Sequence, residues 1–254
     1  MNRQIRYSFY IILMSGILFS ACSTTETALT KGDFQRSNTD AKEVVSTIPD
    51  YTESLRTVSG KGRAIVSEPR NSDRVSIDFQ ADQEKSLLTI QNRIGIEGGQ
   101  LLADQDSILI YNRVDDFAQK MSIYNSSMTS LNELASINIL DLMNFKVRSG
   151  DVNSVLESDK LFQLRMDQGV RVFVSRSDGT VQQVVQTQRS VAPYSKIIYE
   201  SYGTLEGFTL PRKITIFSAD ERSRVVFLVR SLNLNPNDLK LSIDIPDNIK
   251  IQRL

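Results

Sequence analysis

"SLLTIQNRIGIEGGQLLADQDSILIYNRV", residues 86–114, decides the fold class. It holds three short runs rich in β-branched and apolar residues, each suited to a strand. Asn92, Gly95, Gly98 and the Asp104–Asp106 stretch punctuate them as turns do. The connections are too brief for crossover helices, so consecutive strands must lie antiparallel.

The same texture extends in both directions. Upstream lie "GRAIVSE" and "RVSIDFQAD"; downstream, after a break, come "VLESDKLFQLRM", "GVRVFVSR", "TVQQVVQTQ", "KIIYESY", "LPRKITIF" and "RVVFLVRSLNL". Asp178-Gly179 separates two of these runs and is a strong hairpin signal. "IDIPDNIKIQRL" reads as a closing tail that returns to the sheet. Val225, Phe227 and Val229 alternate with Val226 and Leu228, so this strand is apolar on both sides and needs apolar cover on each.

Two stretches carry helical spacing instead. Ala41, Val44, Val45, Ile48, Tyr51 and Leu55 form one apolar stripe, with Asp40 and Glu43 placed to cap its start and Pro49 to break it. In Asn125–Phe145, Met128, Leu131, Leu134 and Ala135 share a face, and Asn138 is placed to cap a second short helix through Leu142 and Met143. The expected order is therefore helix, about five strands, a helical insertion, then about six strands. This is an α+β, mainly β chain: a strongly curved antiparallel sheet, an incomplete barrel, with helices covering its concave face.

The N-terminus sets the compartment. Arg3 and Arg6 precede Tyr7–Ser20, an uncharged and mostly apolar run. It is shorter than the ~20 residues a spanning helix needs and suits a signal-peptide core. Ser20, Ala21 and Cys22 follow, and Cys22 is the one cysteine in the chain. These residues resemble the lipobox of bacterial lipoproteins, with Phe19 at the place usually held by leucine. The resemblance implies cleavage before Cys22, a diacylglycerol on its thiol and an acyl chain on its amine. It implies no other cofactor. Two or more acyl chains hold a protein firmly on a membrane without spanning it. Residues 1–21 are then the signal peptide. Residues 22–38 are the lipidated Cys22 and a Ser/Thr-rich tether with a mean reach of roughly 20–25 Å. Residues 39–254 are the folded domain.

Composition excludes other classes. Lys+Arg and Asp+Glu balance at 30 each, which argues against nucleic acid as a partner. The chain has no histidine, so Ser-His and Cys-His nucleophiles and histidine metal sites are ruled out. Asp104/Asp106 and Asp115/Asp116 fall at turns, where solvated acids are ordinary. "SGKGR" lacks the rest of a phosphate loop and reads as a strand start. No enzyme chemistry and no metal site is expected.

In order, "SGKGRAIVSE", "RVSIDFQ", "LLTIQNRIGIEGGQLL", "ADQDSILIYN", "SLNELASINILDLMNF" and "TLPRKITIF" resemble the strands, lid helix and late strand of the LolA/LolB lipoprotein-carrier fold. The likeness is closest to a LolB-like lipoprotein family of unknown function. It covers most of residues 38–235. It implies a monomeric, non-enzymatic lipoprotein on the outer membrane, facing the periplasm. Such a protein would bind acyl chains in an apolar cavity as a lipoprotein or lipid receptor, fed by a periplasmic LolA-like carrier. The turn Asn92–Gly95 matches the loop by which LolB delivers lipoprotein into the membrane, which places Ile94 and Gly95 at the membrane-insertion loop. Arg93 stands where that loop has proline.

Candidate cavity walls are Ile77, Phe79, Leu88, Ile90, Leu109, Leu140, Met143, Phe173, Ile198, Ile216 and Phe227. Plain core packing is the competing reading of each. The competing function is a structural or assembly lipoprotein whose fold serves as a protein-docking scaffold.

Overall fold

The computed structural model describes residues 32–92, 94–123, 130–187, 192 and 194–254, without the side chains of residues 130, 131 and 133. Cys22, the signal peptide, Arg93 and Met128 lie outside the described residues, and so does the Leu131 side chain. Contacts divide the chain into Met1–Gln35 and Arg36–Leu254. The second unit carries the fold, and the two-residue strand Gln35–Arg36 spans the boundary.

After β1 (Gln35–Arg36) and α1 (Ala41–Thr47), six strands run in succession: β2 (Thr57–Glu68), β3 (Asn71–Asp82), β4 (Ser86–Gln91), β5 (Glu97–Ala103), β6 (Ser107–Asn112) and β7 (Phe117–Ser122). Helices α2 (Ser130–Ser136) and α3 (Ile139–Met143) interrupt them. Seven strands follow: β8 (Val152–Glu157), β9 (Leu161–Met166), β10 (Arg171–Ser175), β11 (Val181–Val185), β12 (Tyr194–Leu205), β13 (Phe208–Ser218) and β14 (Arg224–Leu234). β15 (Ile251–Arg253) ends the chain.

These make one curved, unclosed 15-stranded sheet in the order β1-β8-β9-β10-β11-β12-β13-β14-β2-β3-β4-β5-β6-β7-β15. Each half is an antiparallel meander, as the short turns require. The halves join where β14 pairs antiparallel with β2, from Arg224 opposite Ser67 to Leu234 opposite Val58. The tail returns as expected, but in parallel: Ile251 faces Ala118 on β7. On the way it crosses the outer face, where the Lys240 amide donates to Gln80 Oε1 at 3.0 Å.

The helices form where the sequence signals lie. Asp40 caps α1, its carboxylate accepting from the Lys42 amide, and the helix stops before Pro49. Val44, Ile48 and Leu55 bury the apolar stripe. Asn138 caps α3 by accepting from the Leu140 amide at 2.8 Å. The Asp178-Gly179 hairpin joins β10 to β11, with Gly179 at φ +70°. A Cβ on Gly179 would lie 2.0 Å from the Thr47 carbonyl oxygen, so the turn also seats the end of α1.

Gly60, Gly62 and Ala64 share one face of β2. A Cβ on Gly60 would fall 2.6 Å from the Phe79 ring, and one on Gly62 2.6 Å from the Phe227 ring. Phe79 and Phe227 meet edge to face there, their centroids 5.6 Å apart. Glycine thus makes room for two rings at the seam between the halves.

Candidate functional site

The concave face is largely apolar, with Ser86 among its few polar residues. Ile77, Phe79, Leu88, Ile216 and Phe227 lie on it at 0–2% exposure, with Ile90 half-buried beside them. Leu140 and Met143 meet them from α3, and Leu134 and Ala135 from α2, all buried. α2 lies over strands of both halves. The structure therefore brings eight of the sequence-derived wall candidates together.

Leu109, Phe173 and Ile198 do not join them. The pleat sends successive side chains to opposite faces. Val172 and Val174 flank Phe173, Ile197 and Tyr199 flank Ile198, and Ile108 and Ile110 flank Leu109; all these flanking residues belong to the inner core. Phe173 faces Gln183 across β10–β11, and Ile198 faces Gln183 and Thr215, on the outer side. A strand apolar on both faces gives no periodicity by which to choose the inner one. The same limit affects β14: Val225, Phe227 and Val229 are buried, while Val226 and Leu228 are half-buried on the other side.

Hydrogen bonds fasten the second cover helix at both ends. At its start the Ile139 amide donates to Ser86 Oγ at 2.8 Å, and Asn138 Nδ2 donates to the Asp82 carbonyl at 2.9 Å. At its end the Tyr51 amide donates to Asn144 Oδ1 at 3.1 Å. Leu134, Ala135, Ile139, Leu140, Leu142 and Met143 of the cover are buried in the core. The wall residues are in van der Waals contact with their neighbours in this closed arrangement.

Among the described residues, a small cavity of about 20 Å³ lies beneath the cover, lined by Ile48, Pro49, Tyr51, Met143, Asn144, Phe145, Thr180, Val181, Tyr199, Tyr202 and Thr209. The fully buried Tyr199 reaches it, and its hydroxyl has no protein partner. Burial, reinforced by Tyr194 and Tyr202 nearby, pushes its phenol well above the ordinary tyrosine value. It is a neutral O–H at any physiological pH. Sequence reasoning missed this residue, because a tyrosine in a β-run signals only packing.

The β4–β5 turn stands clear of the fold. Asn92 Oδ1 accepts from the Ile94 and Ile96 amides, both at 3.0 Å, and Gly95 takes φ +83°. Ile94 is left 80% exposed at the tip. The β6–β7 turn beside it is built alike: Asn112 Oδ1 accepts from the Val114 and Asp115 amides, and Val114 is 75% exposed. Ile96, Phe117 and Ile251 add exposed apolar surface on the same rim.

Among the described residues no group of acidic or cysteine side chains is arranged to hold a metal ion, and no helix is long and apolar enough to cross a membrane. Asp104 sits in a turn. Desolvation pushes its carboxyl up, but hydrogen bonds from the Asp106 and Ser107 amides and the Ser107 hydroxyl outweigh it and hold it below the usual carboxylate value.

No protein-family model and no curated protein sequence matches the chain. Solved structures do. A Vibrio parahaemolyticus domain assigned to outer membrane lipoprotein sorting superposes with a TM-score of 0.56 at 12% identity, covering 79% of this chain and 92% of that one. A DUF1329 family protein from Desulfovibrio piger gives 0.56 at 9% identity, with 79% and 96% covered. A LolA superfamily protein from Nitrosomonas europaea gives 0.54 at 13%, with 80% and 96% covered. Identities this low speak for fold alone. With the open meander and its helical cover, they establish that this chain has a LolA/LolB-like fold.

Proposed function

We propose that the protein is a membrane-anchored lipoprotein that binds acyl chains between its sheet and its helical cover. It would receive or chaperone lipoproteins or lipids in outer-membrane biogenesis, from a LolA-like carrier on the periplasmic side, without covalent chemistry. Lipidation at Cys22 supplies the anchor in this reading. The observation that carries it is the concave face: largely apolar, and covered by two short helices. Acyl chains need no directional contacts, since burial supplies about 25 cal/mol per Å2 of apolar area. They need a cover that lifts. The neighbour assigned to lipoprotein sorting supports the same role.

The exposed rim extends the reading. Ile94 with Gly95, and Val114 on the adjacent hairpin, would enter the bilayer interface and pass cargo into it. Each aliphatic side chain buried there contributes about 1.5–3 kcal/mol.

The test uses the full chain in nanodiscs with a diacyl lipopeptide bearing a photoactivatable group in its acyl chain. Crosslinks are mapped by mass spectrometry. Acyl binding places them on the inner-face strands β3 and β4 and on Ile139–Met143. Crosslinks confined to the outer surface overturn it and leave the protein-docking scaffold, the reading favoured by the close packing of the walls, which are 0–4% exposed at Ile77, Phe79, Leu88, Leu140, Met143, Ile216 and Phe227.

A further inference from the structure

The chain balances 30 Lys+Arg against 30 Asp+Glu, but the fold does not spread them evenly. On the outer face of the second half, one continuous row of facing residues crosses strands β9 to β14. Arg165 of β9 faces Arg171 of β10, which faces Val185 of β11. Val185 faces Lys196, Lys196 faces Phe217, and Phe217 faces Arg224 of β14. Their sequence neighbours Leu164, Val172, Val184, Ile197, Ile216 and Val225 belong to the inner core, so the pleat turns the whole row outward. Arg165 and Arg224 are exposed, and Arg171 and Lys196 are half-buried.

The row holds four cations and no acid. The next row away from the turns, Gln163, Phe173, Gln183, Ile198, Thr215 and Val226, carries no charge. Among the described residues, Glu200 is the one acid on the outer rows of β9 to β14, and Lys213 already pairs with it at 2.8 Å. Arg165 and Arg171 stand directly opposite each other, an arrangement that costs energy for like charges. Lys196 Nζ lies 4.0 Å from the centroid of the Phe217 ring, so an aromatic face meets this ammonium. The cations spread over strands about 4.8 Å apart and do not converge on one point. Such a row complements an extended anionic surface better than a single small anion.

The place of the row favours a membrane as that surface. Arg165 and Arg171 flank the Asp167–Gly169 turn, and Arg224 opens β14 just after the β13–β14 turn. Because Arg224 begins β14 opposite Ser67, near the end of β2, these turns emerge on the same rim as Ile94 and Val114. At about 3.3 Å per residue the row lies within roughly 10 Å of the turn tips, about one Debye length at physiological salt. Asp167, Asp220 and Glu221 lie in the two turns, with Arg222 beside the last two, so row and turns together remain net positive.

We propose that this outer row is an electrostatic contact for the anionic headgroups of a phospholipid bilayer. The choice of a bilayer rests on the membrane-facing rim proposed above, and the row adds an orientation to it. Ile94 and Val114 set the depth of the first half in the interface, and the cations draw the second half against the headgroups.

The test places the full chain in nanodiscs of phosphatidylcholine, with or without about 30 mol% phosphatidylglycerol as the anionic lipid. A trace of phosphatidylcholine with a photoactivatable headgroup reports which segments lie near the headgroups, and crosslinks are mapped by mass spectrometry. In wild type, phosphatidylglycerol should raise the yield on residues 161–176 and 194–200 at least about fivefold, the gain expected from a single cation near an anionic surface. Salt at about 0.5 M should remove the gain. Arg165→Gln with Arg171→Gln should remove most of it at low salt, while the yield on the β4–β5 turn stays the same in both lipids. A wild-type yield on 161–176 and 194–200 that ignores phosphatidylglycerol overturns the assignment and leaves an acidic protein segment as the partner of the row. An undiminished gain in a variant with an unchanged melting curve overturns it as well. If the variant unfolds, the wild-type salt series decides. Absence of crosslinks on the β4–β5 turn in either lipid is a separate failure: it overturns the membrane-facing rim, whether or not the row responds to charge.

Discussion

The two rims of the first meander solve one turn problem with two chemistries. On one rim, aspartates organise the turns: Asp82 accepts from the Glu84 and Lys85 amides, and Asp104 from those of Asp106 and Ser107. Asp178 does the same for Thr180 in the second half. On the opposite rim, the β4–β5 and β6–β7 turns use Asn92 and Asn112, with the same side-chain-to-amide geometry. The aspartate turns carry polar tips such as Glu84, Lys85 and Gln105. The asparagine turns carry Ile94 and Val114, although Asp115 and Asp116 lie in the second of them. At Asn92 a neutral acceptor holds the turn without placing a charge at its base, whereas Asn112 also donates to the Asp115 carboxylate at 2.8 Å. The aspartate turns carry polar tips and, at Asp178-Gly179, seat α1, whereas on the opposite rim the two asparagine turns present Ile94 and Val114 beside the polar β2–β3 turn of Glu68 and Arg70.

The comparison breaks most visibly at two glycines of like conformation. Gly179 and Gly95 both have positive φ, but a Cβ on Gly95 meets nothing within 4 Å. Gly179→Ala adds collision with the Thr47 backbone and should cost about 3 kcal/mol or more, whereas Gly95→Ala should cost about 1 kcal/mol. Urea unfolding measures both, and equal losses would refute the difference between the rims. At the other rim the sensitivity moves from stability to membranes. Ile94→Glu with Val114→Glu should weaken liposome association of the chain at least about tenfold, because each lost side chain is worth about 1.5–3 kcal/mol. Stability should stay within about 0.5 kcal/mol, as for other exposed sites. Co-sedimentation with vesicles and a melting curve check the pair.

Smaller effects sharpen the contrast. Asn92→Asp keeps the acceptor and adds a charge. It should reduce vesicle association about threefold, the loss shrinking as salt rises, with little change in stability. Asp104 is the smallest case. Its carboxyl is held below its ordinary value of 3.8 in the folded protein. Its stabilisation is therefore complete above that value and is lost as pH falls through the lower folded value. Asp104→Asn should flatten the acid limb of stability below about pH 4 by a few tenths of a kcal/mol, because the group is largely solvated. Thermal melts between pH 2 and pH 5 detect it.

Much of this was legible in the sequence because it is local. Asp40, Pro49, Asn138 and Asp178-Gly179 set helix starts, a helix stop and a hairpin through neighbours a few residues away. The short connections fixed an antiparallel meander. What stayed hidden depends on partners far along the chain. The β14–β2 seam pairs residues more than 150 positions apart, and nothing in either strand names the other. The parallel docking of β15 on β7 is hidden in the same way. Gly60 and Gly62 read as a strand start, yet their role is to seat Phe79 and Phe227. Leu109, Phe173 and Ile198 fell on the outer face because doubly apolar strands carry no inward mark. The buried Tyr199 hydroxyl without a protein partner leaves no mark in its own strand, because its surroundings come from residues far along the chain.

The central claim is that the helical cover lifts from the concave face to admit hydrocarbon. A spin-label distance measurement tests it most directly. In a Cys22→Ser background, labels at Asp141→Cys on α3 and Asp73→Cys on β3 report the separation of cover and sheet. With saturating diacyl lipopeptide the account predicts a second population longer by about a helix diameter, roughly 10 Å. An unchanged distance distribution at saturation would contradict it.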